Sequence, residues 1–98
     1  KMKSKTEYIN LLQSVKEELK ERYGIRSLRL FGSVARDEHV QSSDVDICIE
    51  TETPNPFIIM DIKEFLENLF ECSVDIVRFR QNMNPFLKQQ IENEGIYV

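Results

Sequence analysis

Asp44 and Asp46, separated by a single valine, are the residues whose type and spacing first suggest chemistry. The segment Asp44-Val45-Asp46-Ile47-Cys48-Ile49-Glu50 alternates cleanly, which is the pattern of a half-buried strand. In a strand the side-chain period is two, so both carboxylates share one face while Val45, Ile47 and Ile49 take the other. Carboxylates this close repel, and burying them unpaired is costly. A divalent cation resolves both problems, and hard oxygen donors suit Mg²⁺ or Mn²⁺. An exposed strand face or a pair of turn acids would carry the same pattern. Gly32-Ser33 is the second feature: glycine lets a backbone approach an anion, and a turn starting there aims free N–H groups at it. Many Gly-Ser pairs are simply turns. Asp75 is the third, an acid inside the apolar run Val74-Asp75-Ile76-Val77. It reads either as an edge or salt-bridged residue, or as a third carboxylate for the same cluster.

These residues need elements to position them. Tyr8, Leu11, Leu12, Val15, Leu19 and Tyr23 recur at spacings of three and four, so the chain opens with an amphipathic helix that Gly24 ends. Ile25 to Phe31 alternates loosely, as a strand running straight into the Gly32-Ser33 turn. A polar loop then leads to the Asp44–Glu50 strand. Thr53-Pro54-Asn55-Pro56 breaks the chain, with Asn55-Pro56 placed to cap a helix carrying Ile58, Ile62, Phe65, Leu66 and Leu69. Ser73 to Arg78 forms a third strand, with Val74 and Ile76 on one face and Asp75 and Val77 on the other. Asn84-Pro85 caps a last helix through Ile91 that Gly95 closes, and Ile96-Tyr97-Val98 forms a short strand or a packed tail. The expected class is α/β (α+β): one small mixed sheet with helices packed against it. The chain is a single domain over 1–98, with 1–24 as the N-terminal helix and 25–98 as the core.

Composition narrows the functions. The 98 residues hold 13 Lys+Arg against 17 Asp+Glu, a net charge of -4. Sequence-independent binding to duplex nucleic acid draws on clustered cations, so it is not expected. A bound nucleotide is compatible, because a metal ion can carry the positive charge. No apolar run approaches the ~20 residues of a membrane span. Cys48 and Cys72 make neither a disulfide framework nor a zinc site and read as buried thiols of a cytoplasmic protein. His39, the single histidine, is expected to be exposed in the polar loop. Phe57, Phe65, Phe70 and Phe79 read as core or partner contacts, and Asn82 and Asn84 as turn and cap.

Gly32-Ser33, ten intervening residues, and Asp44-Val45-Asp46 together give the pattern G-S-x₁₀-D-x-D. This resembles the nucleotidyltransferase superfamily that includes DNA polymerase beta, and more closely its minimal nucleotidyltransferase branch. Leu30-Phe31-Gly32-Ser33-Val34-Ala35-Arg36, Ser43 to Ile47, Val74 to Val77 and Ile91 to Tyr97 are similar to that branch, so the resemblance runs from about Ile25 to Val98. It implies that Asp44 and Asp46 bridge two Mg²⁺ ions, that Asp75 completes the second metal site and helps deprotonate the acceptor, and that Gly32 and Ser33 hold the β- and γ-phosphates of ATP. Two metals about 3.5–4 Å apart neutralise both the attacking and the leaving oxygen, and such transfer otherwise asks mainly for positioning and electrostatics. Arg36 is placed either to reach a phosphate or to pair with a local acid. One position departs from the family: Asp37 stands where members usually carry glycine after the Ala-Arg pair, followed by Glu38. Asp tolerates unusual backbone angles, so the turn is expected to survive.

The resemblance also implies a partner. Minimal nucleotidyltransferases are similar to antitoxins that transfer AMP from ATP to a tyrosine of a HEPN ribonuclease toxin. The expected function is therefore a Mg²⁺-dependent protein adenylyltransferase antitoxin working in complex with its toxin, which brings the acceptor. A non-catalytic antitoxin acting by occlusion is the second reading. Transfer to a small molecule, as in aminoglycoside-modifying relatives, is the third.

Overall fold

The structure is a computed structural model that describes residues 2–52 and 55–98. The elements run α1 (Lys5–Tyr23), β1 (Ile25–Phe31), α2 (Gly32–Ala35), β2 (Val45–Thr51), α3 (Pro56–Phe70), β3 (Val74–Arg78), α4 (Pro85–Glu94) and β4 (Ile96–Tyr97). The strands form one mixed sheet in the order β3-β2-β1-β4. β1 is antiparallel to both β2 and β4, and β2 is parallel to β3, with α3 as the crossover.

Local signals account for the element ends. Ser4 closes a capping box with Glu7, which satisfies the first free amides of α1, and Gly24 ends that helix at φ 69. Asn55 accepts from the Phe57 N–H at 2.9 Å ahead of Pro56, and Asn84 accepts from Phe86 and Leu87 ahead of Pro85. The Thr53-Pro54 half of the breaker lies outside the described residues. The loose alternation of β1 has a cause. A register shift between Ile25 and Ser27 adds one residue, so Ile25 shares the core face with Leu28 and Leu30 despite opposite parity. The C-terminal residues do form a short strand, and α4 continues past Ile91 to Glu94.

The sheet has two unlike faces. On one, Val45, Ile47, Ile49, Leu28, Leu30 and Val74 pack beneath Tyr8, Leu12 and Leu19 of α1 and Ile62, Leu66 and Phe70 of α3. On the other, Phe31 and Cys48 pack with Met83 and Ile91, so α4 covers that face. Arg29, on the second face, is 7% exposed and stacks between the Phe79 and Tyr97 rings, each 4.6 Å from its guanidinium carbon. That stack ties β4 to β1. Phe70 is in the core and Phe65 lies against it, while Phe57 is largely exposed. Cys48 is buried; Cys72 is half-buried, with its Sγ 3.6 Å from the Tyr8 hydroxyl. Among the described residues no helix is long and apolar enough to cross a membrane.

α3 ends at Glu71, a non-glycine residue in the left-handed region at φ 58. Its ion pair with Lys3, at 3.9 Å and on a side chain 83% exposed, contributes little against the backbone cost. Glu71→Gly is therefore expected to stabilise the fold by about 0.5–1 kcal/mol, measured as a rise in thermal midpoint. A fall would show that the Lys3 contact outweighs the strain.

Candidate active site

Three strands deliver the acids and the glycine to one end of the sheet. Parallel pairing of β2 with β3 sets Asp46 directly across from Asp75 and Cys48 across from Val77. Because Val45, Ile47 and Ile49 fill the first core, Asp46 points to the second face, as the alternation predicts. Antiparallel pairing sets Phe31 opposite Asp46, which brings the following residue, Gly32, to the same place. Val45 donates its N–H to the Ser73 carbonyl at 3.0 Å, so the entries to β2 and β3 are clamped together. β2 starts at Val45 rather than at Asp44, and Asp44 stands exposed at the strand entrance. Asp75 is exposed and Asp46 half-buried.

The contact between Gly32 and Asp46 is steric. Gly32 has φ +77, and a Cβ there would strike the Asp46 carboxylate, with Asp46 Cγ 2.9 Å away. Only glycine meets both constraints. Asp46 is pushed up to about 6, first by burial, then by the charges of Asp75 and Asp44, with Arg36 opposing and Glu94 adding. Among the described residues no three acidic, histidine or cysteine side chains close into a preformed metal cage. The donor set nevertheless fits a hard divalent cation: oxygen ligands, with one half-buried carboxylate strained by its like-charged neighbours.

Beyond Gly32 the chain makes a single helical turn and then Asp37 adopts φ 59. The aspartate thus takes the left-handed conformation that glycine usually supplies at this position, and the turn survives. The Glu38 N–H closes it on the Ser33 carbonyl at 2.8 Å. Arg36, whose two roles the sequence leaves open, is paired with acids. Its Nε donates to Glu38 at 2.8 Å and its Nη1 to Glu94 at 2.9 and 3.1 Å, which together raise its pKa. Glu94 also accepts from the Gly32 N–H at 3.3 Å and from Gln90 Nε2 at 2.7 Å.

Sequence reasoning missed Glu94 as part of this site. The available signal was an acid in the last turn of a helix, where the helix dipole favours a cation. It also misplaced His39, which is not exposed. His39 Nε2 lies 2.8 Å from the Lys3 carbonyl, its ring stands edge-on to Tyr8, and its buried Nδ1 has no partner among the described residues. The N-terminal arm reaches back over the loop, a contact too distant in sequence to be read locally. A groove of ≈ 550 Å³ lined by Arg22, Tyr23, Ile58, Asp61, Glu64, Phe65 and Asn68 lies between α1 and α3, away from the acids.

Comparisons with known proteins agree with this geometry. The nucleotidyltransferase domain family matches residues 12–98. MJ0126 of Methanocaldococcus jannaschii, classed provisionally with the protein adenylyltransferases, is 36% identical over 98 residues, 99% of this chain and 100% of its own length. The Thermococcus cleftensis protein adenylyltransferase MntA is 33% identical over 90 residues, covering 91% of this chain and 90% of that protein. A solved structure described as a minimal nucleotidyltransferase superimposes with TM-score 0.81 at 30% identity, over 98% of this chain and 97% of that one. A chain from the complex of a tri-AMPylated Shewanella oneidensis HEPN toxin with its MNT antitoxin shares the fold at TM-score 0.68 and 18% identity, over 92% and 70% of the two chains.

A raised acid pKa fixes the sign of the pH dependence. Between the ordinary carboxylate range and about 6 the folded protein holds more protons at Asp46 than the unfolded chain does. Stability therefore falls as pH rises through that window. Asp46→Asn is expected to stabilise the protein at pH 7 by about 1–2 kcal/mol, less than full linkage because the group is only half-buried. The difference from wild type should shrink below pH 4, and thermal melts across pH check it. Gly32→Ala is expected to lower the melting temperature, since its Cβ has no room; an unchanged melt would show that Asp46 moves aside freely.

Proposed function

The chain belongs to the nucleotidyltransferase domain family, and from that premise we propose that it is a Mg²⁺-dependent protein adenylyltransferase. In this reading it transfers AMP from ATP to a tyrosine hydroxyl of a HEPN-type ribonuclease toxin and so silences it, as an antitoxin in the cytoplasm. The observation that carries the proposal is the β2–β3 register, which sets Asp46 across from Asp75 beside the Gly32 turn. The name of the T. cleftensis relative and the fold shared with a HEPN–MNT complex support the acceptor class. So does the exposure of Asp44 and Asp75, which suits an acceptor presented by another protein.

The residues divide the work by position. Asp44, Asp46 and Asp75 would hold the metal ions, whose charge neutralises the attacking and leaving oxygens of the transfer. The Gly32 N–H and the Ser33 hydroxyl bind terminal phosphate oxygens and orient the triphosphate. Asp46, half-buried, lies in the floor of the site against Gly32. Asp75, exposed at the rim, accepts the proton of the tyrosine hydroxyl. The hydroxyl oxygen bonds to the α-phosphorus, the bond to the β-phosphate oxygen breaks, and pyrophosphate leaves.

Incubation with ATP, Mg²⁺ and the cognate toxin, followed by intact mass measurement, tests this reading. A gain of one or more AMP units on the toxin is expected, with loss of transfer by at least about 100-fold in Asp44→Asn. Full activity in that variant would defeat the assigned mechanism. One observation favours the occlusion reading: the cation beside the turn is already paired with Glu38 and Glu94. Toxin inhibition measured in EDTA separates the two. Catalytic silencing is expected to vanish, whereas unchanged inhibition without metal would establish occlusion.

A further inference from the structure

Glu94 occupies the place where the proposed function puts a phosphate. The Gly32 N–H donates to its Oε1 at 3.3 Å, Arg36 Nη1 donates to both of its oxygens at 2.9 and 3.1 Å, and Gln90 Nε2 donates at 2.7 Å. These are the donors of an anion site, and the anion they hold is a side chain of the protein itself. Its placement runs against the field of its own helix. Glu94 is the last residue of α4, where the C-terminal dipole disfavours a carboxylate. Burial also works against the charge, yet the bonds from Gln90, Arg36 and Gly32 keep this carboxyl below the usual range. Gly95 fixes the position. A Cβ there would strike the Ile91 carbonyl and sit 3.2 Å from Arg29 Cδ, so only glycine lets the chain turn from α4 into β4, beside β1, with Glu94 held over Gly32.

We infer that Glu94 is an intramolecular stand-in for phosphate, a specificity-determining residue that holds the Gly32 amide and Arg36 until a polyphosphate displaces it. The inference rests on the nucleotidyl-transfer reading. A single N–H cannot serve the Glu94 carboxylate and a phosphate oxygen together at full strength. Among the described residues, Arg36 is the one cation whose charge steadies Asp46, and in this state it is paired with Glu38 and Glu94. An entering nucleotide thus meets donors already satisfied and the carboxylates of Glu38, Asp44, Asp46, Asp75 and Glu94. A ligand wins this exchange only by bringing more negative charge than one carboxylate, together with the cation that neutralises it. A triphosphate with a divalent ion does so, and a monophosphate does so poorly. Glu94 ends its helix and its side chain keeps 21% exposure, so an entering ligand reaches it from solvent.

The test compares wild type with Glu94→Gln in calorimetric titrations of the full chain with Mg²⁺·ATP and with AMP. Glutamine keeps an acceptor for the Gly32 N–H and removes the competing charge. ATP is expected to bind about tenfold more tightly to the variant, and the preference for ATP over AMP to narrow. The Glu94 carboxyl carbon of wild type should shift in NMR spectra when ATP is added, a readout that needs no variant. Equal or weaker ATP binding by the variant, or a Glu94 signal indifferent to ATP, would overturn the inference and make Glu94 a brace of the turn. Failure of ATP to bind either protein would defeat the nucleotidyl-transfer reading itself.

Discussion

Parallel pairing of β2 with β3 forces two carboxylates into register, and the rest of the structure is arranged around that repulsion. Asp46 and Asp75 are partners across the strands, with Asp44 one step outside. The apolar alternation of Val45, Ile47 and Ile49 leaves no freedom, since a one-residue slip would put the acids in the core. The hydrophobic core therefore holds like charges together. Burial and neighbouring charge push Asp46 up to about 6, a tension that adds nothing to folding. Stability given up at one spot, in a fold otherwise well capped and packed, is the usual sign of a site shaped by chemistry.

Gly32 is the second fixed point, and it links the acids to the turn. Its positive φ and the absence of a side chain let β1 end directly over Asp46. From there one helical turn brings Arg36 between Glu38 on its own loop and Glu94 at the end of α4. The arrangement spans elements from the whole chain: strand ends supply the acids, a glycine the clearance, and the last helix the counter-charge. The side with α1 and α3 is a conventional core, whereas the other side carries the charged groups and the Arg29 stack.

Much of this was legible in the sequence because it is local. Strand parity placed Asp46 and Asp75 on the face opposite Val45 and Val74, and Asn55-Pro56 and Asn84-Pro85 announced two helix starts. Asp37 stands where the resembled family carries glycine, and the backbone there is left-handed. What escaped was non-local. The Lys3 carbonyl that receives His39 lies 36 residues away in sequence, and Glu94 meets Gly32 across 62. Such contacts depend on how helices pack, which periodicity does not encode. Asp44 continues the strand's alternation, but the ladder begins at Val45, within the usual one- or two-residue spread of element ends.

In the proposed function, the like-charged neighbours that crowd Asp46 are relieved by a divalent cation. The most direct measurement is an NMR pH titration of the Asp46 carboxyl carbon, with and without Mg²⁺. Without the ion its midpoint should lie near 6. With saturating Mg²⁺ it should fall into or below the ordinary carboxylate range, because a cation favours the ionised form. A midpoint that stays where it was when Mg²⁺ is added would contradict the account.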